Sequence, residues 1–597
     1  MNSAPPGEVG PRFPLIAAAG LTVAATLLIY GPATRVNFLG DDFMILHRLR
    51  ALERASDVLR FFRGEFFEYY RPLTFVSHAV DWAIAGQDPR QFHLTNVLIH
   101  VINTLLVLLI GRALSPRALA GPLAAALFAL HSSNNEAVVW MSARFDLLAT
   151  GFALGAVVWM VRSWRGNPWA PALLFFCAVM SKEAAVAMPI AAAAWSRFRM
   201  RHSTATTIGR VAPWLFALAA YSVLRQFAGG VSAVGGTSRV PKLLAFGITL
   251  VVIVATSAER WEAVRDWLRP RRVPFAIAFL VALAATTFTA ATVDGPIGSL
   301  AREKLSVAGF ASLYLVSPVL NPGDAVFNGP SERLPWIVGT ASLLVVASLL
   351  VWLWHRLLDD NRFWFLGAFF AAALLPISAL TEGKRYLYLP SAVMSLILAI
   401  LVVEMQGRWR RLALAAVAAL LATSAVQIAV KIADWRWAGR MTADGASLVD
   451  STLAPSCGTG HVVFLTSPVG IRGVYSHFYY ETFEIPRGCM PEVFQVLVRV
   501  LRFDTAVDVS WSGPDRIVIT ASPYRDNFLL SQDLRAFQTP LRSKETMRVT
   551  TPLGEINAQS DNGVARVTLT LTDDARRQPI HFFYYSRGQI EALGGPQ

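Results

Sequence analysis

The chain has 597 residues, 54% of them hydrophobic and only 16% charged, with a mean hydropathy of +0.45. A soluble enzyme carries roughly a quarter charged residues, so the soluble globular class is excluded. The net charge of +14 does not point to nucleic acid, because the basic residues gather in short loops between apolar runs, the footprint of membrane topology.

Apolar runs suited to crossing about 30 Å of hydrocarbon recur from residue 14 to residue 431. They read as about thirteen spans: 14–32, 93–111, 118–131, 145–161, 168–181, 184–196, 211–229, 242–257, 274–293, 335–354, 363–380, 386–404 and 412–431. The fold class is therefore a polytopic α-helical membrane protein of 11–13 spans. Basic loops fix its orientation: Arg112 and Arg117; Arg162 and Arg165; Arg197, Arg199, Arg201 and Arg210; Arg260 to Arg272; Arg356 and Arg362; Arg408, Arg410 and Arg411. These alternate loops are cytoplasmic by the positive-inside rule, which puts the amino terminus inside and the carboxy-terminal third outside. The first run reads as an uncleaved anchor, because no small-x-small cleavage site follows it before Val36-Asn37-Phe38.

The first outer loop, 33–92, carries Asp41 and Asp42 after NFLG and before the amphipathic stretch FMILHRLRALERASDVLRFF, expected along the membrane surface. One aspartate serves as a helix cap. Two exceed what a cap needs, and either is a candidate to take a proton from an acceptor hydroxyl. Further charges recur at the ends of apolar segments on the same face: Arg71 in YYRPL; Glu136, Arg144 and Asp146 in HSSNNEAVVWMSARFDLL; Ser181-Lys182-Glu183; and Lys384-Arg385-Tyr386. Charges at that depth are costly unless they pair or bind something. Lys182, Lys384 and Arg385 also stand against the positive-inside bias, which a phosphate held at the surface explains. For any one of them, snorkelling to lipid headgroups is the competing reading. His78, His93, His100 and His131 lack a His-x-x-x-His pair or a carboxylate at zinc spacing, and read as hydrogen-bonded structural residues. Trp140, Tyr386 and Tyr388 read as interfacial or packing aromatics.

Three cysteines exclude a disulfide scaffold. Cys177 falls within a span, whereas Cys457 and Cys489 fall in the outer region, where a disulfide between them and two free thiols are both open. Past residue 432 the runs HVVFLT, DRIVIT, ARVTLTLT and HFFYYS, separated by turn residues, read as strands. The division is a membrane core over 1–435 and an extramembrane β-rich or α+β domain over 436–597, large enough to bury a core.

Five blocks, FLGDD, YYRPLTFVSHAVDWAIAGQDPRQFHLTNVLIHVINTLL, HSSNNEAVVWMSARFDLLA, MSKEAAVAMP and LLPISALTEGKRYLYLPSA, follow in that order between residues 30 and 440. Together they resemble the membrane core of the tetratricopeptide-containing protein O-mannosyltransferases and their bacterial relatives, polytopic glycosyltransferases of the GT-C superfamily. The resemblance implies an inverting transfer from a polyprenyl-phosphate sugar to a hydroxyl on the outer face of a bacterial inner membrane, with a periplasmic carboxy-terminal domain. It places Asp41 or Asp42 where the family has its catalytic acid, and Arg71, Lys182, Lys384, Arg385 and Tyr386 around the donor phosphate. His93, His131, Glu136, Arg144, Asp146 and Glu183 are supporting or sugar-binding residues. No cofactor is implied, and a divalent ion is left open.

The chain departs from the family at His131-Ser132 and Asn134-Asn135, where the family reads His-Pro followed by another His and a Thr. No 34-residue helical repeat follows residue 440, so the acceptor is a glycan or glycolipid as readily as a protein. A transporter or flippase of a lipid-linked sugar is the alternative function. It would show an internal repeat and charges near mid-membrane, neither of which is evident.

Overall fold

The computed structural model describes residues 12–39, 41–64, 70–163, 166–228, 261–293, 334–375, 384–453, 461–469, 493–500, 506–522, 528–531, 538–540, 546–551, 553–561, 564–586 and 589–596, with isolated short runs between 252 and 305. The chain forms two compact units, one of Met1–Thr34, Arg54–Asn321 and Ser331–Ile432, the other of Arg35–Glu53, Pro322–Pro330 and Ala433–Gln597. Cys457 and Cys489 lie outside the described residues.

The described helices are α1 (Arg12–Tyr30), α2 (Asp42–Arg50), α3 (Pro72–Ala85), α4 (Pro89–Leu114), α5 (Ala120–Ala129), α6 (Asn135–Val139), α7 (Arg144–Arg162), α8 (Trp169–Ser181), α9 (Met188–Ala194) and α10 (Thr204–Phe227). They continue with α11 (Trp261–Leu268), α12 (Arg272–Thr292), α13 (Leu334–Asp359), α14 (Asn361–Leu374), α15 (Tyr388–Glu404), α16 (Gly407–Leu453) and the short α17 (Asp573–Arg577). Among the described residues seven segments are long and apolar enough to cross a membrane: Ile16–Arg35, Pro89–Leu114, Met141–Arg162, Thr204–Phe227, Ala263–Thr292, Arg385–Glu404 and Gly407–Trp437. The fold class read from the sequence is that of the structure. One expected span is not a single helix: 184–196 breaks into a 3-10 turn (Glu183–Ala185), α9 and a π-turn (Trp195–Arg199), with Pro189 in the first turn of α9. The expected span at 242–257 lies outside the described residues except for Val252 and Thr256.

Burial separates centre from perimeter in the first unit. The Arg385–Glu404 segment is 78% buried, whereas Ala263–Thr292 is 11% buried and exposes Phe275, Ile277, Leu280 and Val281. In lipid such exposure carries no penalty, because acyl chains are as apolar as the side chains they meet. Helix association there depends on close packing and polar ties. Small residues supply the first where α4 meets α5: a Cβ on Gly111 would lie 2.9 Å from the Cα of Gly121. The second is a buried tie at the start of α15. His100 must donate from Nε2 to the Ala129 carbonyl (3.2 Å), since a carbonyl only accepts, so Nδ1 accepts the Tyr388 hydroxyl proton at 2.6 Å. Asn103 Nδ2 donates to the same hydroxyl oxygen (3.3 Å) and to Leu147 O (2.9 Å). α4, α5, α7 and α15 are thus fixed together just below the charged residues that precede α15.

The second unit contains two sheets. The first has strand order β11-β10-β1-β2-β5-β6 and the second β3-β4-β9-β8-β7. Here β1 is His461–Val469, β2 Val493–Val500, β3 Ala506–Trp511, β4 Arg516–Ser522, β5 Phe528–Ser531, β6 Gln538–Pro540, β7 Thr546–Thr551, β8 Gly554–Asp561, β9 Val564–Leu571, β10 Ile580–Ser586 and β11 Gln589–Ala592. β1 pairs in parallel with β2 and β10, and the other pairings are antiparallel. Alternation drives the second sheet: Val567, Leu569 and Leu571 of β9 are buried beside Ile517 and Ile519 of β4, while the intervening threonines are half-buried. Gly554 turns β7 into β8 at φ +151°, where a Cβ would collide with the Thr570 carbonyl, so the hairpin requires glycine.

Candidate functional site

The first unit gathers charged residues from five separated segments. Pro72, at the first position of α3, leaves Arg71 at the helix entrance. The Thr74 hydroxyl donates to Ser181 O (3.2 Å), which ties this entrance to the carboxy-terminal end of α8. There the chain turns extended at Lys182 (φ −164°, ψ 144°) and places Lys182 and Glu183 beside Arg71.

Glu183 binds two guanidinium groups, Arg71 at 2.8 Å through Oε2 and Arg225 at 3.3 Å through Oε1. Lys182 Nζ meets Asp146 Oδ1 at 2.5 Å and lies 4.5 Å from the centre of the Tyr386 ring. Arg385 also approaches that ring: it lies 4.7 Å from the centre of Tyr386 and 4.8 Å from that of Trp140, and pairs with Glu136 at 2.7 Å. Arg71 also stacks on Phe145 at 5.0 Å. The aromatic faces accept the cations by their ring quadrupoles and shield them from water.

A deeper ion pair holds the scaffold. Arg144, fully buried, pairs with Asp81 at 2.6 Å and donates to Asn96 Oδ1 (2.7 Å), Phe92 O (2.7 Å) and Ser77 O (3.2 Å). Asp81 accepts in addition from Thr95 (2.7 Å) and Gln91 (3.1 Å). With its donors committed to α3 and α4, Arg144 knits helices together rather than presenting a charge to a ligand.

The four carboxylates Asp81, Glu136, Asp146 and Glu183 face five cations, Arg71, Arg144, Lys182, Arg225 and Arg385, among the described residues. Lys182 is buried and Arg71, Arg225 and Arg385 are half-buried, so an anion reaching this cluster would meet partly desolvated cations. The crowding of charge shows at Lys182. Burial, opposed by Asp146 and reinforced by Arg71 and Arg385, lowers its ammonium to about 8. Burial alone would raise the Glu183 carboxyl, yet Arg71 and Arg225 outweigh it and hold the pKa below the usual carboxylate range.

The remaining sequence candidates fall elsewhere. His131 Nδ1 accepts from the Ser133 hydroxyl (2.7 Å) and backbone N–H (3.3 Å), closing the turn before α6. His93 is buried on α4. The side chain of Lys384 lies outside the described residues. The acidic pair belongs to the second unit, where Asp42 is fully buried and its Oδ2 accepts from Leu39 N–H at 2.9 Å. Asp41 precedes α2, half-buried, and makes no side-chain capping bond. Among the described residues no three His, Cys, Asp or Glu side chains converge as metal ligands do.

Sequence reasoning missed Arg225, Asp81, Gln91 and Phe145. Arg225 ends α10 and looks like an ordinary flanking base, and Asp81 lies 63 positions from its partner. The one available signal was Asp81 itself, an acid inside an otherwise apolar helix.

The fold and site define a polytopic helical membrane protein with a cluster of ion-paired arginines and a lysine at the ends of its helices. No protein-family model matches the chain. Part of it is similar to protein O-mannosyl-transferases: 32% identity over 121 residues to Tmtc1 of Drosophila melanogaster, 24% over 168 to TMTC3 of Mus musculus, and 31% over 146 to TMTC1 of Mus musculus. These stretches are 20%, 26% and 22% of this chain and 14%, 18% and 15% of the relatives, so the match spans less than a fifth of their length. The resemblance read from the sequence blocks is thereby met. Among solved structures, the oligosaccharyltransferase of Archaeoglobus fulgidus aligns at TM-score 0.46 and 14% identity in its apo form, over 81% of this chain and 61% of that one. With a tethered acceptor peptide it aligns at TM-score 0.43 and 13% identity. Likeness of that degree is too low to define a shared fold.

Proposed function

We propose that the chain is a membrane glycosyltransferase, moving a sugar from a polyprenyl-phosphate donor to a hydroxyl of an envelope glycan, glycolipid or protein at the outer, periplasmic face of a bacterial inner membrane. The observation that carries the reading is the gathering of four cations, Arg71, Lys182, Arg225 and Arg385, around Glu183, Asp146 and Glu136 at the helix ends. The partial similarity to protein O-mannosyl-transferases supports the transfer class.

The charge balance of the reaction suits that cluster of cations. A polyprenyl-phosphate sugar is a phosphodiester bearing one negative charge. When the acceptor oxygen attacks the anomeric carbon, the carbon–oxygen bond to phosphate breaks with its electron pair, and the released phosphate monoester carries a second charge. Fixed cations bind that product-like state more tightly than the donor, which lowers the barrier rather than only improving affinity. The acceptor proton needs a base, a role given to Asp41, which is half-buried where Asp42 is fully buried. Attack opposite the leaving phosphate inverts the anomeric configuration.

The test is equilibrium binding of a radiolabelled polyprenyl-phosphate mannose to the full chain in nanodiscs. Lys182→Ala and Arg385→Gln are expected to weaken it about tenfold or more, the cost of one charged hydrogen bond. Unchanged affinity in both would remove the phosphate from this cluster. A flippase would bind the same donor, and cleavage of the donor separates the two.

A further inference from the structure

A cleft in the second unit takes no part in the transfer chemistry. It encloses about 540 Å³, within the roughly 300–1,000 Å³ typical of small-ligand sites. Its lining includes Trp511 from the end of β3, Phe582 from β10, Arg576 and Gln578 at and after α17, and the backbone of Gly594 and Gly595. Trp511 is held twice: its indole Nε1–H donates to Gly594 O at 2.6 Å, and Phe582 meets it edge-on at 5.7 Å and 87°. A rigid aromatic wall loses little conformational entropy when a ligand packs against it.

The chemistry of the lining selects among ligands. Arg576 is paired with Asp573, so the cleft offers a bound anion no uncompensated guanidinium. What it offers instead is an aromatic surface beside a carboxamide, a guanidinium–carboxylate pair and exposed backbone amides of the two glycines. That combination matches a neutral sugar ring, which has apolar C–H faces and a rim of hydroxyls that both donate and accept.

We propose that this cleft binds a neutral saccharide, with Trp511 as its platform, and that it docks a glycan acceptor; the docking role rests on the transferase reading, the binding does not. The probes are mannotetraose and cellotetraose, titrated without donor against the full chain in nanodiscs. Saturable binding of at least one is expected. Trp511→Ala should weaken it about tenfold and Trp511→Phe by only a few-fold, since stacking contributes on the order of 1 kcal/mol. Gln578→Ala leaves the aromatic pair intact and should weaken binding at an unchanged thermal midpoint, so a loss in both variants is not unfolding. No saturable binding of either sugar, equal binding by Trp511→Ala, or tighter binding of a Ser/Thr-rich dodecapeptide would overturn the proposal. Wild-type protein that binds these sugars yet never cleaves donor would contradict the transferase reading and leave the saccharide site standing.

Discussion

Lys182 concentrates the electrostatics of the first unit in one titration. Its ammonium, near 8 in the fold against about 10.4 in an unfolded chain, is faced by Asp146, Arg71, Arg385 and the Tyr386 ring. Because the folded value is the lower one, the fold gains stability as pH rises through this window, while an anion site loses a cation. Donor affinity should therefore fall as pH rises past about 8 and level off at the affinity of Lys182→Ala, at an undiminished thermal midpoint. Lys182→Arg should carry tight binding to higher pH; an identical profile in that variant would remove Lys182 from the anion site. Arg225, on the far oxygen of Glu183, makes a second case: Arg225→Gln should raise the donor Kd about tenfold, and a wild-type Kd would make it structural only. Under the proposed mechanism the acidic pair separates by role. Asp41→Asn should cut turnover by about 10²–10⁴ with donor binding intact, whereas Asp42→Asn should cost about 1 kcal/mol of stability through the turn it closes. Equal turnover in wild type and Asp41→Asn would rule out that base.

At the scale of elements, the ion pairs explain why some of the site was legible beforehand and some was not. Lys182 and Arg385 were visible because basic residues stood in outer loops where membrane topology disfavours them. Glu136, Asp146 and Glu183 were visible as charges at helix ends, although only folding shows which cation each one holds. Arg225 could not be singled out, because a base at the end of an apolar helix is the ordinary pattern and its partner lies 42 positions earlier. Arg144, read from the sequence as a supporting or sugar-binding residue, ties α3, α4 and α7 together. Removing it strands Asp81 in a dry interior at a cost of about 3–5 kcal/mol. Arg144→Met should accordingly lower the thermal midpoint, and adding Asp81→Leu should restore much of it; a double variant as unstable as the single would show that Arg144 does not act through Asp81. The length of the apolar runs located most spans, yet the run at 184–196 reads as one helix in hydropathy and breaks at Met188 because Pro189 favours a helix start there. Four strands were readable from β-branched alternation. β2, β3, β7 and β8 were not separated from their surroundings, since Gln495, Arg499, Asp508, Arg548 and Glu555 interrupt their apolar pattern and only pairing with neighbours supplies the sheet.

For the molecule as a whole, the division of labour follows from what each unit can bury. The helical unit places charge among apolar helices, where the ion pairs of five cations and four carboxylates gain strength from a low dielectric. The β-rich unit builds an ordinary hydrophobic core from Val463, Ile517, Ile556 and Leu569 and keeps a mixed aromatic and polar cleft. The proposal gives the first unit the lipid-phosphate donor and the second the glycan. Its central claim is that the donor bond is broken. The direct measurement is release of polyprenyl phosphate from labelled polyprenyl-phosphate mannose by the purified full chain in liposomes with envelope extract as acceptor, comparing wild type with Asp41→Asn. The account predicts release and label in acceptor with wild type, and donor bound but intact with Asp41→Asn; donor left intact by wild type, and carried across the bilayer, would contradict it.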